Sequence, residues 1–285
     1  MHKNRSSLTA AGISIARAVE SEKPAGERIC YDPFARQFVP PWMYYLLGFF
    51  IKSGYAGLRG PGVNGFLMVR ERYIDDVLNN FLSEDLRQLV ILGAGYDSRA
   101  YRFTLPEQVK TFEVDHPVTQ AEKLKKLQRI FSKIPEHVRY VPVDFNTQTL
   151  SERLISSGYD PGLESLFIWQ GVTMYLTPLG IDTTLDFVVK NAAPGSGIVF
   201  DYIYQSVLDG IQKQNEINNM RRYRFMTGEG LTFGIPQGQV GEFLQSRGFH
   251  QVIDITTDEL KAAYFTGMNA NRKVAGGYGI VIGKI

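Results

Sequence analysis

Gln88-Leu89-Val90-Ile91-Leu92-Gly93-Ala94-Gly95-Tyr96-Asp97-Ser98 is the stretch on which the fold turns. An apolar run ending at Gly93 reads as a buried parallel strand. Gly93 permits a tight turn, and Gly95 lets backbone approach a ligand with no Cβ in the way. The helix that follows would open with unpaired N–H groups. A dinucleotide fingerprint wants a third glycine where this chain has Ser98, so that match is incomplete. Taken alone, an ordinary strand-to-helix turn reads the stretch equally well.

Outward from it, residues 110–114, 139–143, 166–169 and 198–200 are further short β runs. Residues 116–132, 147–157 and 178–192 between them carry helical patterning. Such alternation predicts a parallel sheet with helices on both faces. Right-handed crossovers then gather the strands' C-terminal ends on one rim, where open α/β sheets bind ligands. Pro142 puts the end of the third strand at an edge or bulge. Residues 251–255 and 278–282 suit an antiparallel pair closing the sheet, for seven strands in all. Residues 1–85 read instead as helices and loops, with Asn64 capping a long helix through Leu82. The expected organisation is a helical lid over 1–85 and a core over 86–285. An insertion over the rim at about 201–237 is too long for a plain connector.

Composition narrows the chemistry. The chain has 285 residues, 31 Lys+Arg against 29 Asp+Glu, and a formal charge of +2, which leaves no footprint for nucleic acid. Cys30 is the only cysteine, so neither a disulfide nor a cysteine zinc site is expected. His2, His116, His137 and His250 lack metal-ligand spacing, and no metal is expected. The aromatic run 42–51 is far short of the roughly twenty residues a spanning helix needs. It reads as a buried helix or a pocket wall, with membrane-surface contact as the alternative. No long apolar leader opens the chain, and a cytoplasmic protein without an integral membrane segment is expected. The oligomeric state is left open.

The rim carries the functional reading. Glu113 and Asp115 close the second strand about twenty residues past the glycines, where a carboxylate can accept both ribose hydroxyls of an adenosine. Asp144-Phe145 at the third strand's end fits an adenine slot, the acid for the exocyclic amine and the ring for the base face. A nicotinamide cofactor and S-adenosylmethionine both fit. Ser98 in the third-glycine position and the antiparallel C-terminal pair favour the second.

The segments MVRERYIDD (68–76), ILGAGYDSRAYR (91–102), FEVDHP (112–117), VPVDF (141–145) and FIWQGVTMYLTP (167–178) resemble the leucine carboxyl methyltransferase family. With SLTAAGISIARAVES (7–21) and YDPFA (31–35), the chain is more similar to its bacterial and archaeal branch of S-adenosylmethionine-dependent O-methyltransferases. The resemblance implies a class I, Rossmann-like methyltransferase fold with an N-terminal helical lid. It implies that Arg70 binds the carboxylate of the cofactor's methionine part. Gly93, Ala94 and Gly95 would line methionine and ribose, Asp115 would hold the ribose, and Asp144 with Phe145 would frame the adenine. Arg17 would reach in from the lid. Gln170 stands where the family usually has Glu, which keeps an acceptor oxygen but loses a charge. Gln170→Glu is expected to leave cofactor binding equal or tighter.

Methyl transfer from a sulfonium is an in-line displacement in which the protein mainly positions and desolvates the nucleophile. A carboxylate acceptor needs no general base at neutral pH, whereas a phenol or alcohol would. His116 and Glu229 are the candidates, and neither is named as a base. Tyr175 is a candidate substrate contact, and Arg221, Arg222 and Arg224 could receive an anion. Trp42, Tyr44, Tyr45, Phe49 and Phe50 suggest an apolar pocket. The expected activity is methylation of a carboxylate, or a hydroxyl, of a hydrophobic small molecule. The alternatives are a protein C-terminal carboxyl methyltransferase, a nicotinamide-dependent oxidoreductase and a cofactor-binding regulator without catalysis.

Overall fold

A computed structural model describes residues 8–54, 62–144, 148–211 and 230–285. Seven runs of the sequence form strands: β1 (Gln88–Leu92), β2 (Lys110–Asp115), β3 (Val138–Pro142), β4 (Ser165–Trp169), β5 (Gly197–Ile203), β6 (Gln251–Thr256) and β7 (Tyr278–Lys284). They make one sheet in the order β3-β2-β1-β4-β5-β7-β6. β1 to β5 pair in parallel, and β7 runs antiparallel to both β5 and β6. β3 is an edge strand, as Pro142 requires. The chain steps outward from β1 to β3, then returns to place β4 on the other side of β1. The crevice at the tips of β1 and β4 is therefore the switch point where this architecture takes ligands.

Both sheet faces are covered. Val90 and Leu92 pack with Phe112, Val141, Leu154 and Leu185, beneath α6 (Leu150–Ser156) and α7 (Pro178–Asn191). Leu89 and Ile91 point the other way, onto Val69, Leu78 and Phe81 of α3 (Val63–Ser83). That helix starts after Gly62, which takes a left-handed φ of 86° as its N-cap. Asn64, expected to cap it, lies inside its first turn.

α1 (Leu8–Ser21) and α2 (Pro41–Lys52) form an outer layer. Ile15, Val19, Phe38 and Tyr44 cluster there with Tyr96 of the glycine loop and with Leu127. Ser14 Oγ donates to the Ala35 carbonyl at 2.9 Å, and Asp32 Oδ1 accepts from Phe34 and Ala35 N–H at 2.9 Å, which fixes the turn between the two helices. The aromatic helix is not the buried element expected of 42–51. Within α2 only Tyr44 and Gly48 are buried, and most of its large apolar side chains face outward. The reason is its thin seat: one Tyr–Gly face on α1 suffices to hold it.

After β5 the chain forms α8 (Gln205–Leu208). It returns at Thr232, whose N–H and Oγ1 donate to the carbonyls of Met174 and Leu176 at 2.8 Å. The described part of the 201–237 insertion thus touches the turn that follows β4. Its middle, 212–229, lies outside the described residues, and with it Glu229, Arg221, Arg222 and Arg224.

Candidate active site

The loop after β1 is shaped by what surrounds it. Gly93 sits at φ 65°, and a Cβ there would fall 2.4 Å from Val172 Cγ2. The N–H of Gly95 donates to Asp115 Oδ2 at 2.5 Å, and the N–H of His116 donates to Asp115 Oδ1 at 2.6 Å. Asp115 therefore braces the glycine loop from the tip of β2, with lone pairs left on both oxygens. Burial pushes its carboxyl above the usual range against those two donors. Glu113 does not share the rim. It points inward, fully buried, with Lys123 Nζ at 2.7 Å. Asp144 is half-buried beyond β3, its carbonyl accepting from Gln148 N–H at 2.9 Å. Phe145 lies outside the described residues.

At the tip of β4, Gln170 is held from both sides. Its Oε1 accepts from Arg99 Nη1 at 2.8 Å, and its Nε2 donates to Glu71 Oε2 at 2.8 Å. These are two links in a buried ionic cluster under the glycine loop. Arg99, on α4 (Arg99–Arg102), reaches Asp75 Oδ1 at 2.8 Å and Asp97 Oδ2 at 2.5 Å. Arg102 reaches Glu71 Oε1 at 2.9 Å and Asp75 Oδ2 at 2.7 Å. Burial disfavours the Glu71 carboxylate, but Arg99, Arg17 and Arg102 outweigh it and hold the group well below its ordinary value. At Asp75 burial wins, and the carboxyl is raised.

Arg17 belongs to the same cluster. Its Nη1 donates to Glu71 at 3.2 Å, its Nη2 to the Tyr96 carbonyl at 2.5 Å, and its Nε lies 3.4 Å from Asp32. It ties α1 to the glycine loop through protein groups. Arg70 takes a different partner from the neighbouring acids the sequence offers. Its Nη1 meets Asp201 Oδ2 at 2.5 Å, while Asp201 Oδ1 accepts from Gly171 N–H at 2.5 Å. Asp201 is fully buried within β5. Arg70 Nε is buried with no hydrogen-bond partner in the described protein. Tyr175 is half-buried in the turn Thr173–Tyr175, which Thr173 Oγ1 pins to the Asp201 carbonyl at 2.6 Å.

His116 is spent on structure. It is the N-cap of α5 (Pro117–Phe131), where Nδ1 accepts from Val118 N–H at 3.3 Å. Among the described residues no His, Cys, Asp and Glu group is placed to hold a metal ion, and no helix is long and apolar enough to cross a membrane. A cavity of about 550 Å³ lies in the outer layer, lined by Ala16, Val19, Ile51, Met68, Lys52 and Arg272 among others, one turn along α3 from Glu71. Of the α2 side chains only Ile51 and Lys52 line it. The apolar pocket expected of Trp42, Tyr45, Phe49 and Phe50 is therefore not formed by them, because they point away.

Asp201, Glu71, Arg99 and Arg102 were not singled out by the sequence. The spacing of Glu71 and Asp75 on one helix face, opposite Arg99 and Arg102, was the available signal for three of these four. Nothing local marks Asp201.

The leucine carboxyl methyltransferase family model matches residues 10–189, more than half of the chain. The chain belongs to this family. YktD of Bacillus subtilis, named for S-adenosyl-L-methionine-dependent methyl transfer, is 29% identical over 72% of this chain and 67% of its own length. A Mycobacterium tuberculosis relative named in the same way is 26% identical over 90% of this chain and 87% of its own. The fold is shared with a Thermobifida fusca chain solved as a methyltransferase, at a TM-score of 0.59 and 14% identity, covering 98% of this chain and 94% of that one. The chain is thus an S-adenosylmethionine-dependent methyltransferase of the class I fold, and a nicotinamide oxidoreductase is set aside. Its rim carries an acid braced at the β2 tip, a glycine loop, and a buried arginine with an unsatisfied donor.

Proposed function

We propose that the chain methylates an oxygen of a hydrophobic small molecule, a carboxylate before a hydroxyl. The observation that carries this reading is the employment of His116. The titratable base nearest Asp115 caps α5 through Nδ1, so its ring is held by the helix and not offered to an acceptor. An acceptor that arrives already ionised needs no base. S-adenosylmethionine supplies a methyl group already activated as a sulfonium. The chain's own residues then bind and orient. Arg70, presented by Asp201, receives the methionine carboxylate, where a guanidinium fork matches the anion. Asp115 takes the ribose, Gly93, Ala94 and Gly95 leave room for it, and Asp144 with Phe145 meets the adenine. Gln170 and Arg17 act at one remove, through the ionic cluster that sets the loop. α1, tied to the Tyr96 carbonyl, keeps water from the crevice and strengthens the attraction between acceptor and sulfonium. The cavity between α1, α2 and α3, with an apolar wall and a charged rim, is a suitable anteroom for an amphipathic acid.

The test is a single-turnover assay with methyl-labelled cofactor and a library of small acids, phenols and a peptide ending in leucine. A labelled product that releases methanol in mild alkali is a methyl ester and supports the reading. An alkali-stable ether overturns the order of preference and makes a hydroxyl the acceptor, and label on the peptide alone overturns the reading. The peptide is included because the family is described by a leucine carboxylate. Cofactor binding without any transfer would favour a regulator.

A further inference from the structure

α2 reads Pro41-Trp42-Met43-Tyr44-Tyr45-Leu46-Leu47-Gly48-Phe49-Phe50-Ile51-Lys52. An apolar stripe at helical spacing normally faces a core. Here Trp42 is 64% exposed, Tyr45 70%, Leu46 52% and Phe49 67%. They stand at i, i+3, i+4 and i+7, so they form one outward ridge, while Tyr44 and Gly48 seat the helix from behind. Phe50 and Leu47 widen the ridge at its flanks. The helix carries no carboxylate, and Lys52 at its end is its only charge.

The rim is cationic. Arg36 lies over the ring of Tyr44 at 4.1 Å and that of Tyr45 at 5.5 Å. Among the described residues Arg36 has no carboxylate within ion-pair distance. The nearby Glu22 is taken by Lys52 and the Tyr44 hydroxyl.

We propose that α2 docks this protein on an anionic lipid surface. The helix lies in the plane of the interface, with Trp42, Tyr45, Leu46 and Phe49 at the boundary of headgroup and acyl chain. Arg36 meets the lipid phosphates. At 12 residues it is too short to span, and it has the composition of an interfacial helix: aromatic and leucine side chains on one side, basic groups at the margin. Charge decides between lipid and a second copy. A two-fold partner would lay an acid-free ridge with an arginine rim against itself, whereas a lipid headgroup supplies the missing negative charge. Shape agrees, since a projecting ridge suits a yielding surface better than an identical ridge. The proposal is independent of the methyl-transfer reading, and Ile51 and Lys52 make the docked helix also a wall of the 550 Å³ cavity.

The test uses the full chain with vesicles of phosphatidylcholine alone or mixed with phosphatidylglycerol. The sequence has two tryptophans. Trp169 is fully buried, so a change in emission reports Trp42. The expected result is co-sedimentation with the mixed vesicles and a blue shift of Trp42. Binding should weaken with salt and be about tenfold weaker on neutral vesicles. Tyr45→Ser combined with Phe49→Ser should abolish co-sedimentation at unchanged Tm, because both side chains are exposed. Arg36→Gln should erase the preference for phosphatidylglycerol and leave the weak neutral binding. Absence of co-sedimentation by the folded wild type overturns the proposal. So does a dimer in light scattering whose Trp42 emission shifts with protein concentration alone, which assigns the ridge to a second copy. Protection of Trp42 from acrylamide in the lipid-free monomer also overturns it, since another segment of the chain then covers the ridge.

Discussion

Asp201 shows how one buried side chain can fix the direction of another. It gives one oxygen to Arg70 and the other to the N–H of Gly171, directly beyond Gln170. Removing its charge frees the Arg70 guanidinium to swing. Asp201→Asn is expected to weaken binding of S-adenosylhomocysteine about tenfold in calorimetry, or about 1.4 kcal/mol. It should leave methylthioadenosine, which lacks the amino-acid part, unchanged. Equal losses for both ligands would show a collapsed crevice in place of a misdirected arginine. Gln170 is tied into the fold in the same way. Its Nε2 donates to Glu71 at 2.8 Å, so Gln170→Glu exchanges a donor for a second carboxylate at that distance. Whatever the variant does to cofactor binding, it is expected to lose about 1–3 kcal/mol of stability in urea unfolding at neutral pH. Unchanged or raised stability would show that the amide is not needed as a donor.

Among the elements, the β1 strand and its loop were the most legible. A continuous apolar run closed by Gly-x-Gly has few other solutions, and the structure adds the steric reason. Gly93 combines a left-handed φ with a neighbour, Val172, that a methyl group would strike. Gly93→Ala is expected to cost about 2–4 kcal/mol, from backbone strain together with overpacking, read as a lower Tm with the cofactor absent. Val172→Ala should recover the packing part and not the strain. An alanine variant as stable as the wild type would place the loop differently. α2 was the least legible element, for a physical reason. Hydrophobic periodicity tells which residues share a face, but not whether that face meets a core, a lipid surface or water. The ionic cluster was half legible: Glu71 and Asp75 visibly share a helix face, yet their partners Arg99 and Arg102 come from another element. The Arg70–Asp201 pair spans 131 positions, and no local pattern encodes it.

At the scale of the molecule, the parallel sheet and its shared rim follow from strand–helix alternation and crossover handedness, which is why the seven strands could be read in advance. Beside the apolar packing, a buried ionic cluster joins the layers, and Glu71 is its hub. It links α1 through Arg17, α4 through Arg99 and Arg102, and the β4 tip through Gln170. Burial works against its charge, but the three guanidinium groups prevail, and its carboxyl is held well below the ordinary value of about 4.3. A depressed carboxylate contributes stability that is complete above the unfolded value and is lost as pH falls through the folded one. Asp75, raised by burial, has the opposite sign: its charged form is disfavoured in the fold, and that penalty lifts as pH falls through its raised value. Glu71→Gln should therefore cost about 3–5 kcal/mol at pH 7, because it strands buried arginines. The gap between wild type and variant should stay level down to roughly pH 4 and narrow below it, as the wild-type carboxyl takes up its proton. Urea unfolding across this range measures the gap directly. A gap that holds constant into strong acid would mean that Glu71 is not the ionised centre of the cluster, and that the layers are joined by packing alone.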